Sequence, residues 1–251
     1  MEFSEIKGYI KCLYDDFFKD MKIDSHTGIV EGTNLRFTGF PYIGFNYVNA
    51  PVRILFIPLD TGKDECYKEN TFHSLEDREN IFIDGKLDFN AHIAGLYATA
   101  LYILKNELNM QSAWDNLWNY RNTYKTAKAI RVAADSLPSN LMSFVAYENR
   151  FRFVTIGRGW DANGNEKMER FGRKDRIWLN AKRESKLLID EIKVLSPDII
   201  VFQGKDGLWN CDIEKLKEKY QVVEAYHPSC WQRGADKLQY IVDYIAPQIK
   251  L

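Results

Sequence analysis

Short apolar runs recur along the chain, and longer amphipathic stretches separate them. Four runs predict β-strands, because they are short, apolar and followed by polar or turn-forming residues, and the first, rich in β-branched residues, fits a strand buried on both faces. The predicted strands are 54–57 (ILFI), 140–147 (NLMSFVAY), 198–202 (DIIVF) and 221–226 (QVVEAY). Periodicity alone leaves a buried helix open for the first run, and the bounding Pro51 and Pro58 favour a strand there.

Apolar residues at three- and four-residue spacings predict amphipathic helices around and between these strands. The predicted helices cover residues 3–21, 89–109, 124–136, 177–195, 211–219 and 234–245. Strands that alternate with helices are typical of a parallel sheet between helical layers. The predicted fold is therefore α/β, a three-layer αβα sandwich with a central, mainly parallel four-stranded sheet.

The stretch 24–50 is dense in Gly, Asn and aromatic residues and predicts turns with short extended pieces. It forms either an arm that covers the core or a loop that faces a substrate, and we favour the covering arm. Neither a linker nor an internal repeat divides the 251 residues. We therefore expect a single domain over residues 1–251, in which residues 1–50 form an N-terminal helix and the arm.

The composition is that of an ordinary soluble globular protein, with 45% apolar and 27% charged residues. The formal net charge of −1 excludes a global basic field, so any binding of nucleic acid must use a local patch. One candidate is 149–186, which holds eleven Lys or Arg against five acids and places Trp160 in a Gly-rich loop. Basic charge beside stacking planes favours a nucleic-acid surface, and the alternative is a solvated loop that leads into a basic helix.

The four cysteines are scattered without a Cys-x-x-Cys pair, which argues against a zinc knuckle, an iron–sulfur site and a dense disulfide framework. We interpret them as reduced thiols. Charged residues interrupt the first 22 positions every few residues, so this stretch is neither a signal peptide nor a membrane span. We expect a cytoplasmic monomer with no membrane partner.

Each predicted strand ends in polar residues. The clusters are Asp60, Glu148-Asn149, Gln203-Gly204 and His227-Pro228-Ser229. Parallel strands bring their carboxyl ends to one edge of a sheet, where ligands of open α/β proteins bind. A site there would combine a carboxylate, an amide and an imidazole. The first loop would contribute Asp60, Thr61, Gly62 and Glu65. Asp-Thr-Gly is also ordinary turn chemistry, and a plain strand-to-loop turn is the alternative for this loop.

Five stretches of the chain together resemble the uracil-DNA glycosylase superfamily. They are PLDTGKDE, FNAHIAGL, FVAYEN, LLIDEIKVLSPDIIVFQG and AYHPS. The resemblance covers about residues 54–251, and LSPDIIVFQG with AYHPS is its more specific part. The first stretch departs from the family, because Pro58 stands where Gly is usual and Thr61 stands where Pro is usual. The loop that contacts the base is therefore remodelled.

The resemblance implies roles for four residues. Asp60 would place or activate water, and His227 would donate a hydrogen bond to the base carbonyl that gains charge. Phe89 would stack on the extruded base, and Asn149 would read the amide edge of that base. Each has a plainer interpretation: Asp60 and Asn149 as capping or turn residues, Phe89 as a core residue, and His227 as a structural histidine.

The other implied contacts are of two kinds. Those to the substrate would come from Thr61, Gly62, Glu65 and Ser229. Those to DNA would come from Arg150, Arg158, Trp231 and Arg233, because the segment after His-Pro-Ser lies against or enters the duplex in the family. The iron–sulfur cysteines of one branch are absent, and we expect neither a metal nor another cofactor. The expected partner is DNA, single- or double-stranded, or a nucleobase-containing ligand.

The sequence thus predicts a hydrolase that cleaves the N-glycosidic bond of a damaged or deaminated base, uracil or a related one, flipped out of DNA. This reaction passes through an oxocarbenium-like sugar and an anionic leaving base, which a carboxylate and a donor imidazole stabilise. One alternative is a catalytically inactive protein on the same fold that binds nucleic acid or a nucleotide. A third hypothesis is hydrolysis of a free nucleoside or nucleotide.

Overall fold

The structure is a computed structural model that describes residues 1–24, 27–58, 91–160, 163–164, 166–170, 181–204, 213–228 and 237–250. Its strands are β1 (Leu35–Phe37), β2 (Tyr42–Ile43), β3 (Ile54–Pro58), β4 (Val145–Tyr147), β5 (Phe153–Trp160), β6 (Glu166–Arg170), β7 (Ile199–Gln203) and β8 (Gln221–Ala225). Its helices are α1 (Phe3–Phe18), α2 (Ala91–Leu104), α3 (Gln111–Trp118), α4 (Thr126–Ala133), α5 (Ala181–Leu195), α6 (Ile213–Lys217) and α7 (Lys237–Tyr240). Shorter turns are the 3-10 helices Tyr47–Asn49, Ala134–Ser136, Leu141–Phe144 and Ala246–Gln248, and the π-helix Ile241–Ile245.

A mainly parallel, five-stranded sheet lies at the centre of this mixed α/β structure, with strand order β2-β4-β3-β7-β8. The pairs β3–β4, β3–β7 and β7–β8 are parallel, as predicted for the four apolar runs. The second predicted strand, 140–147, is shorter than expected, because Leu141–Phe144 forms a 3-10 helix and only Val145–Tyr147 pairs as a strand. The fifth strand, β2, pairs antiparallel with β4 and comes from the arm. The predicted four-stranded sheet is therefore one strand too small, because a two-residue strand has no apolar run of its own.

A second sheet, antiparallel and three-stranded, has the order β1-β5-β6. β5 and β6 form a hairpin in the basic segment, where we expected Trp160 to lie in a Gly-rich loop and where a loop leading into a basic helix was the alternative. The glycines of GRGWDANGN obscured an alternating pattern, in which Phe153 packs into one apolar cluster and Val154 and Ile156 into another. The arm supplies β1, so it extends this hairpin as well as the central sheet.

Successive residues of the central strands point to opposite faces of the sheet, and helices cover both faces. One face packs against α2, α3, α4 and the C-terminal turns. Its strand residues are Ile54, Phe56, Val145, Tyr147, Ile199, Val201, Val223 and Ala225. The other face packs against α1 and α5. Its strand residues are Leu55, Ile57, Ala146, Ile200 and Phe202.

Helix α2 is buried on nearly every side, because it lies between the sheet and neighbouring helices. Helix α3 was not predicted, since half of QSAWDNLW is polar and the helix buries only Ala113, Trp114 and Leu117. In the part of the chain that the structure describes, no helix is both long and apolar enough to cross a membrane.

Arg53 and Asp198 join the amino ends of β3 and β7. The Asp198 carboxylate accepts hydrogen bonds from the Arg53 backbone N–H at 2.8 Å and from its guanidinium at 3.1 and 3.3 Å. Burial raises the pKa of Asp198, but these hydrogen bonds outweigh it and leave the pKa below its usual value. The pair fixes the register of two central strands at the edge opposite their polar ends.

The outer edge of β8 is occupied by a side chain. The Glu224 backbone N–H donates to Gln248 Oε1 at 3.0 Å, and Gln248 Nε2 donates to the Glu224 carbonyl oxygen at 3.2 Å. Gln248 therefore bonds to both backbone groups of one edge residue, as a neighbouring strand would.

Gly44 lies directly against backbone where the chain leaves β2. A Cβ added there would stand 2.7 Å from the Met142 carbonyl oxygen and closer still to the Ser143 carbonyl. Only glycine fits, because the obstructing atoms belong to the backbone and cannot rotate away.

Candidate functional site

The carboxyl ends of the four parallel strands lie on one edge of the central sheet, as predicted. Gln203 at the end of β7 is in register with Pro58 of β3 on one side and with Ala225 of β8 on the other. On the far side of β3, Phe56 is in register with Tyr147, the last residue of β4. The polar residues that end or follow these strands therefore share an edge.

Two histidines meet at this edge. His227 follows β8 and is half-buried, and His92 enters from the first turn of α2 with only 9% exposure. Their ring centroids are 4.8 Å apart, and the ring planes are tilted by 35°. His92 Nε2 also lies 3.3 Å from Gln203 Oε1. The pair thus joins a helix start to the ends of two strands.

His92 was not among the predicted site residues. It lies in the stretch FNAHIAGL, which drew attention only to Phe89. The available signal was a histidine on an otherwise apolar helix, directly after a predicted site loop. Such a histidine is ordinarily a core residue, and only its contacts with His227 and Gln203 distinguish it here.

Gln203 is buried, with 1% exposure, and only one end of its side-chain amide makes a hydrogen bond. Oε1 contacts His92, whereas Nε2 has no hydrogen-bond partner among the described residues. A buried amide end without a partner costs about 1–3 kcal/mol. Gln203 was named from the sequence as a polar strand end at this edge, but without a role in the site.

Asn149 lies at the same edge, is 1% exposed and is already hydrogen-bonded. Its Oδ1 accepts from the Tyr147 hydroxyl at 3.3 Å, and its Nδ2 donates to the Thr38 carbonyl oxygen at 3.4 Å. The Tyr147 ring in turn lies 5.9 Å from the His92 ring. Asn149 is thereby connected to the histidine pair, and one hydrogen and one lone pair of its amide are not used by these two bonds.

A buried ion cluster holds the segment after β4. The Arg152 guanidinium donates to Glu148 at 3.2 Å and to Glu191 of α5, and all three side chains are fully buried. Burial and the neighbouring Glu148 carboxylate raise the pKa of Glu191 well above its usual value, against the opposing charge of Arg152. One cation therefore faces two carboxyl groups, and Glu191 retains a proton at pH values where an exposed glutamate has lost it.

Arg150 occupies a different position from that expected of a DNA contact. It is only 2% exposed, its Nη2 donates to Ser185 Oγ at 3.2 Å, and its backbone N–H donates to the Pro58 carbonyl oxygen at 2.7 Å. In this structure Arg150 connects the end of β3 to α5 and does not present its charge at the surface.

Three tyrosines cluster around the end of β8, and one of them directly precedes His227. The ring of Tyr240 lies 5.0 Å from that of Tyr244, and the Tyr226 ring lies 6.3 Å from each. Burial raises the pKa of Tyr240 to about 12, although the Tyr226 backbone N–H, which donates to its hydroxyl at 2.9 Å, opposes the shift. Tyr226 itself is 48% exposed and immediately precedes His227 in the chain. An exposed aromatic ring therefore directly precedes His227 in the chain.

Several predicted site residues lie outside the described residues. They are Asp60, Thr61, Gly62, Glu65, Phe89, Ser229, Trp231 and Arg233. Arg158 lies in β5, and its side chain is likewise outside the description. Of the predicted triad, the structure thus brings Asn149 and His227 to one edge, and the position of Asp60 remains a prediction.

The described residues hold no group of three or more His, Cys, Asp or Glu side chains that suits a metal ion. No protein-family model matches the chain, and no curated protein matches it significantly.

Proposed function

We propose that this protein is a DNA glycosylase-like hydrolase that removes a damaged or deaminated base, uracil or a related one, flipped out of DNA. The observation that supports it most is the cluster of His227, His92, Gln203, Tyr147 and Asn149 at the carboxyl edge of a parallel sheet. A planar ring there would meet an imidazole and two amides, the groups that hydrogen-bond the polar edge of a base.

The proposed chemistry divides charge between two sides of the glycosidic bond. His227 donates a hydrogen bond to the base carbonyl as the base leaves with negative charge. Asp60, two residues after β3, orients water and balances the developing positive charge on the sugar. Phe89 stacks on the base, and Asn149 reads its edge with the hydrogen and lone pair that Tyr147 and Thr38 leave. Thr61, Gly62, Glu65 and Ser229 complete the substrate contacts.

DNA contacts come from Arg158, Trp231 and Arg233 in this proposal. The exposed Tyr226 adds a stacking surface beside His227 for a base that neighbours the target. Arg150 acts as a structural support beneath the site. The helices on both faces of the sheet support a three-layer sandwich for the whole chain, which works as a cytoplasmic monomer without a cofactor.

Oligonucleotides that carry one uracil, hypoxanthine or xanthine test this proposal. After incubation with pure protein, alkali cleaves the strand wherever a base has been removed. We expect scission with at least one of the three bases, and its loss in Asp60→Asn and His227→Ala. Asp135→Asn, an exposed carboxylate in a 3-10 turn, is the matched control and retains activity. Scission no higher than that of the Asp60→Asn/His227→Ala double variant for all three bases would refute the proposal.

The second candidate is a non-catalytic protein on this fold that binds nucleic acid or a nucleotide. It is favoured by the remodelled first loop and by the two structural hydrogen bonds that already engage Asn149. Oligonucleotide binding that survives Asp60→Ala, together with absent base release, would support it. Base release from any substrate would eliminate it.

A further inference from the structure

We infer that Gln203 is the specificity-determining residue of this site, and that His92 is the positioning residue that orients it. Together they select bases that carry a ring carbonyl over bases that carry an amino group at the same position. The inference deepens the proposed function and rests on it, because it assumes that the ligand at this edge is a nucleobase.

Only one end of the Gln203 side-chain amide makes a hydrogen bond. The side chain is 1% exposed, it stands between β3 and β8 at the end of the central β7, and its Nε2 has no partner among the described residues. A donor buried in this way gains most from an acceptor that a ligand brings. A ring carbonyl is such an acceptor.

The contact with His92 fixes the orientation of the Gln203 amide. An amide can rotate and offer either its oxygen or its nitrogen to a ligand, and it would then discriminate poorly between bases. His92 Nε2 lies 3.3 Å from Gln203 Oε1; because an amide oxygen only accepts, the tautomer of His92 protonated at Nε2 donates to that oxygen and holds it away from the ligand. The Nε2 end is therefore left as a buried donor without a partner among the described residues, and it is this donor that the site offers to a ligand.

A donor at Gln203 Nε2 favours a base that brings a ring carbonyl to it. Uracil differs from cytosine, and hypoxanthine from adenine, by a carbonyl in place of an amino group. The carbonyl satisfies Gln203 Nε2, whereas the amino group sets donor against donor and leaves both without a partner. A site that hydrogen-bonds one group rejects an analogue that lacks it more strongly than an apolar pocket does. We expect uracil to bind roughly tenfold or more tightly than cytosine.

Equilibrium binding of free uracil and free cytosine, measured by calorimetry, tests the inference without requiring turnover. Gln203→Glu replaces the donor with an acceptor, so we expect its preference to reverse towards cytosine. Gln203→Met removes both polar ends at similar size and is expected to lose most of the uracil preference, keeping only the part that Asn149 contributes. His92→Phe keeps a ring against His227 but frees the amide, so the uracil preference falls while Gln203 remains. Gln239→Glu, on the surface of α7, is the matched control.

The outcomes separate this inference from the proposed function. An unchanged uracil preference in Gln203→Met and His92→Phe would overturn the inference even if the protein releases bases. A preference that depends on Gln203 would uphold it even if no base is released. Failure of the wild-type protein to bind uracil at millimolar concentration, or equal binding of both bases, would also overturn it. Thermal unfolding of each variant shows that the compared proteins are folded.

Discussion

The imidazole rings of His92 and His227 lie 4.8 Å apart and are tilted by 35°, so the residue proposed to hydrogen-bond the base lies against the residue proposed to orient Gln203. A substitution at either histidine therefore changes the surroundings of the other. Residues in direct contact show coupling energies of about 0.5–3 kcal/mol in double-mutant cycles, whereas distant sites add.

We predict that the effects of His92→Phe and His227→Ala on the activation free energy of base release are not additive. The double variant should raise that free energy by less than the sum of the two single increases, because His227 acts through geometry that His92 supports. Single-turnover rates on a uracil oligonucleotide measure all four corners of the cycle. Additive losses would show that the ring contact carries no function.

Tyr147→Phe should lower base release while changing stability little. The substitution removes the hydroxyl that donates to Asn149 Oδ1, a hydrogen bond that contributes only about 1 kcal/mol to the free energy of unfolding. Tyr97→Phe is a matched control, because the Tyr97 hydroxyl donates to the Pro138 carbonyl oxygen, away from the site. Both variants should unfold at similar urea concentrations, and only Tyr147→Phe should alter the rate. Equal rates in the two variants would remove Tyr147 from the site.

The free energy of unfolding of Glu191→Gln, relative to that of the wild type, should be higher at pH 8 than at pH 5. The pKa of Glu191 is raised in the folded protein, so the folded state binds a proton more tightly than the unfolded chain. That contribution is fully present below the unfolded pKa of about 4.3 and is lost as pH rises towards the folded pKa, at up to about 1.4 kcal/mol per pH unit. Glutamine mimics the protonated acid and abolishes this slope.

Urea unfolding at several pH values between 5 and 8 measures the effect of Glu191→Gln. The control is Asp190→Asn on the same helix. Burial raises the pKa of Asp190, but hydrogen bonds from Lys186 and Lys193 bring it below its usual value, so its contribution is lost only at more acidic pH. A wild-type stability that does not decline relative to Glu191→Gln over this range would contradict the prediction.

Tyr226→Ala should weaken oligonucleotide binding without changing the affinity for free uracil. Stacking of one base on an aromatic ring contributes about 1–3 kcal/mol, or roughly 5- to 150-fold in Kd. Tyr226→Phe keeps the ring and should bind as the wild type does. Tyr9→Ala removes another exposed tyrosine, 56% accessible on α1, and should have no effect. Fluorescence anisotropy with single-stranded DNA distinguishes these results.

Gly44→Ala should destabilise the protein severely, because its Cβ would overlap the backbone carbonyls of Met142 and Ser143. Gly8→Ala is the opposite case: its Cβ would meet no atom within 4 Å, and alanine favours the helix by about 0.5–1 kcal/mol. Thermal unfolding should therefore place the two variants on opposite sides of the wild type. A Gly44→Ala protein of unchanged Tm would show that β2 does not lie against the turn before β4.

The four parallel strands and the edge where they end were predictable, because a buried strand is a continuous apolar run and its end is marked by polar residues. The β5–β6 hairpin was not, since its glycines and charges resemble a loop and its pairing with β1 is a long-range contact. The contact between His92 and His227 was equally unpredictable, because no residue near His92 in the sequence indicates that His227 lies beside it. Asn149 and His227 share the predicted edge, whereas Arg150 is buried by partners that its own sequence neighbourhood does not reveal.

The hydrogen bonds between Gln248 and Glu224 have a consequence for self-association. An open strand edge is a template for β-augmentation by another chain, and β8 is an outer strand of the central sheet. Because the Gln248 amide already occupies both backbone groups of Glu224, an incoming strand would have to displace it. One side chain from the last turn thus blocks the addition of a strand at Glu224, on the flank of the sheet that leads to His227.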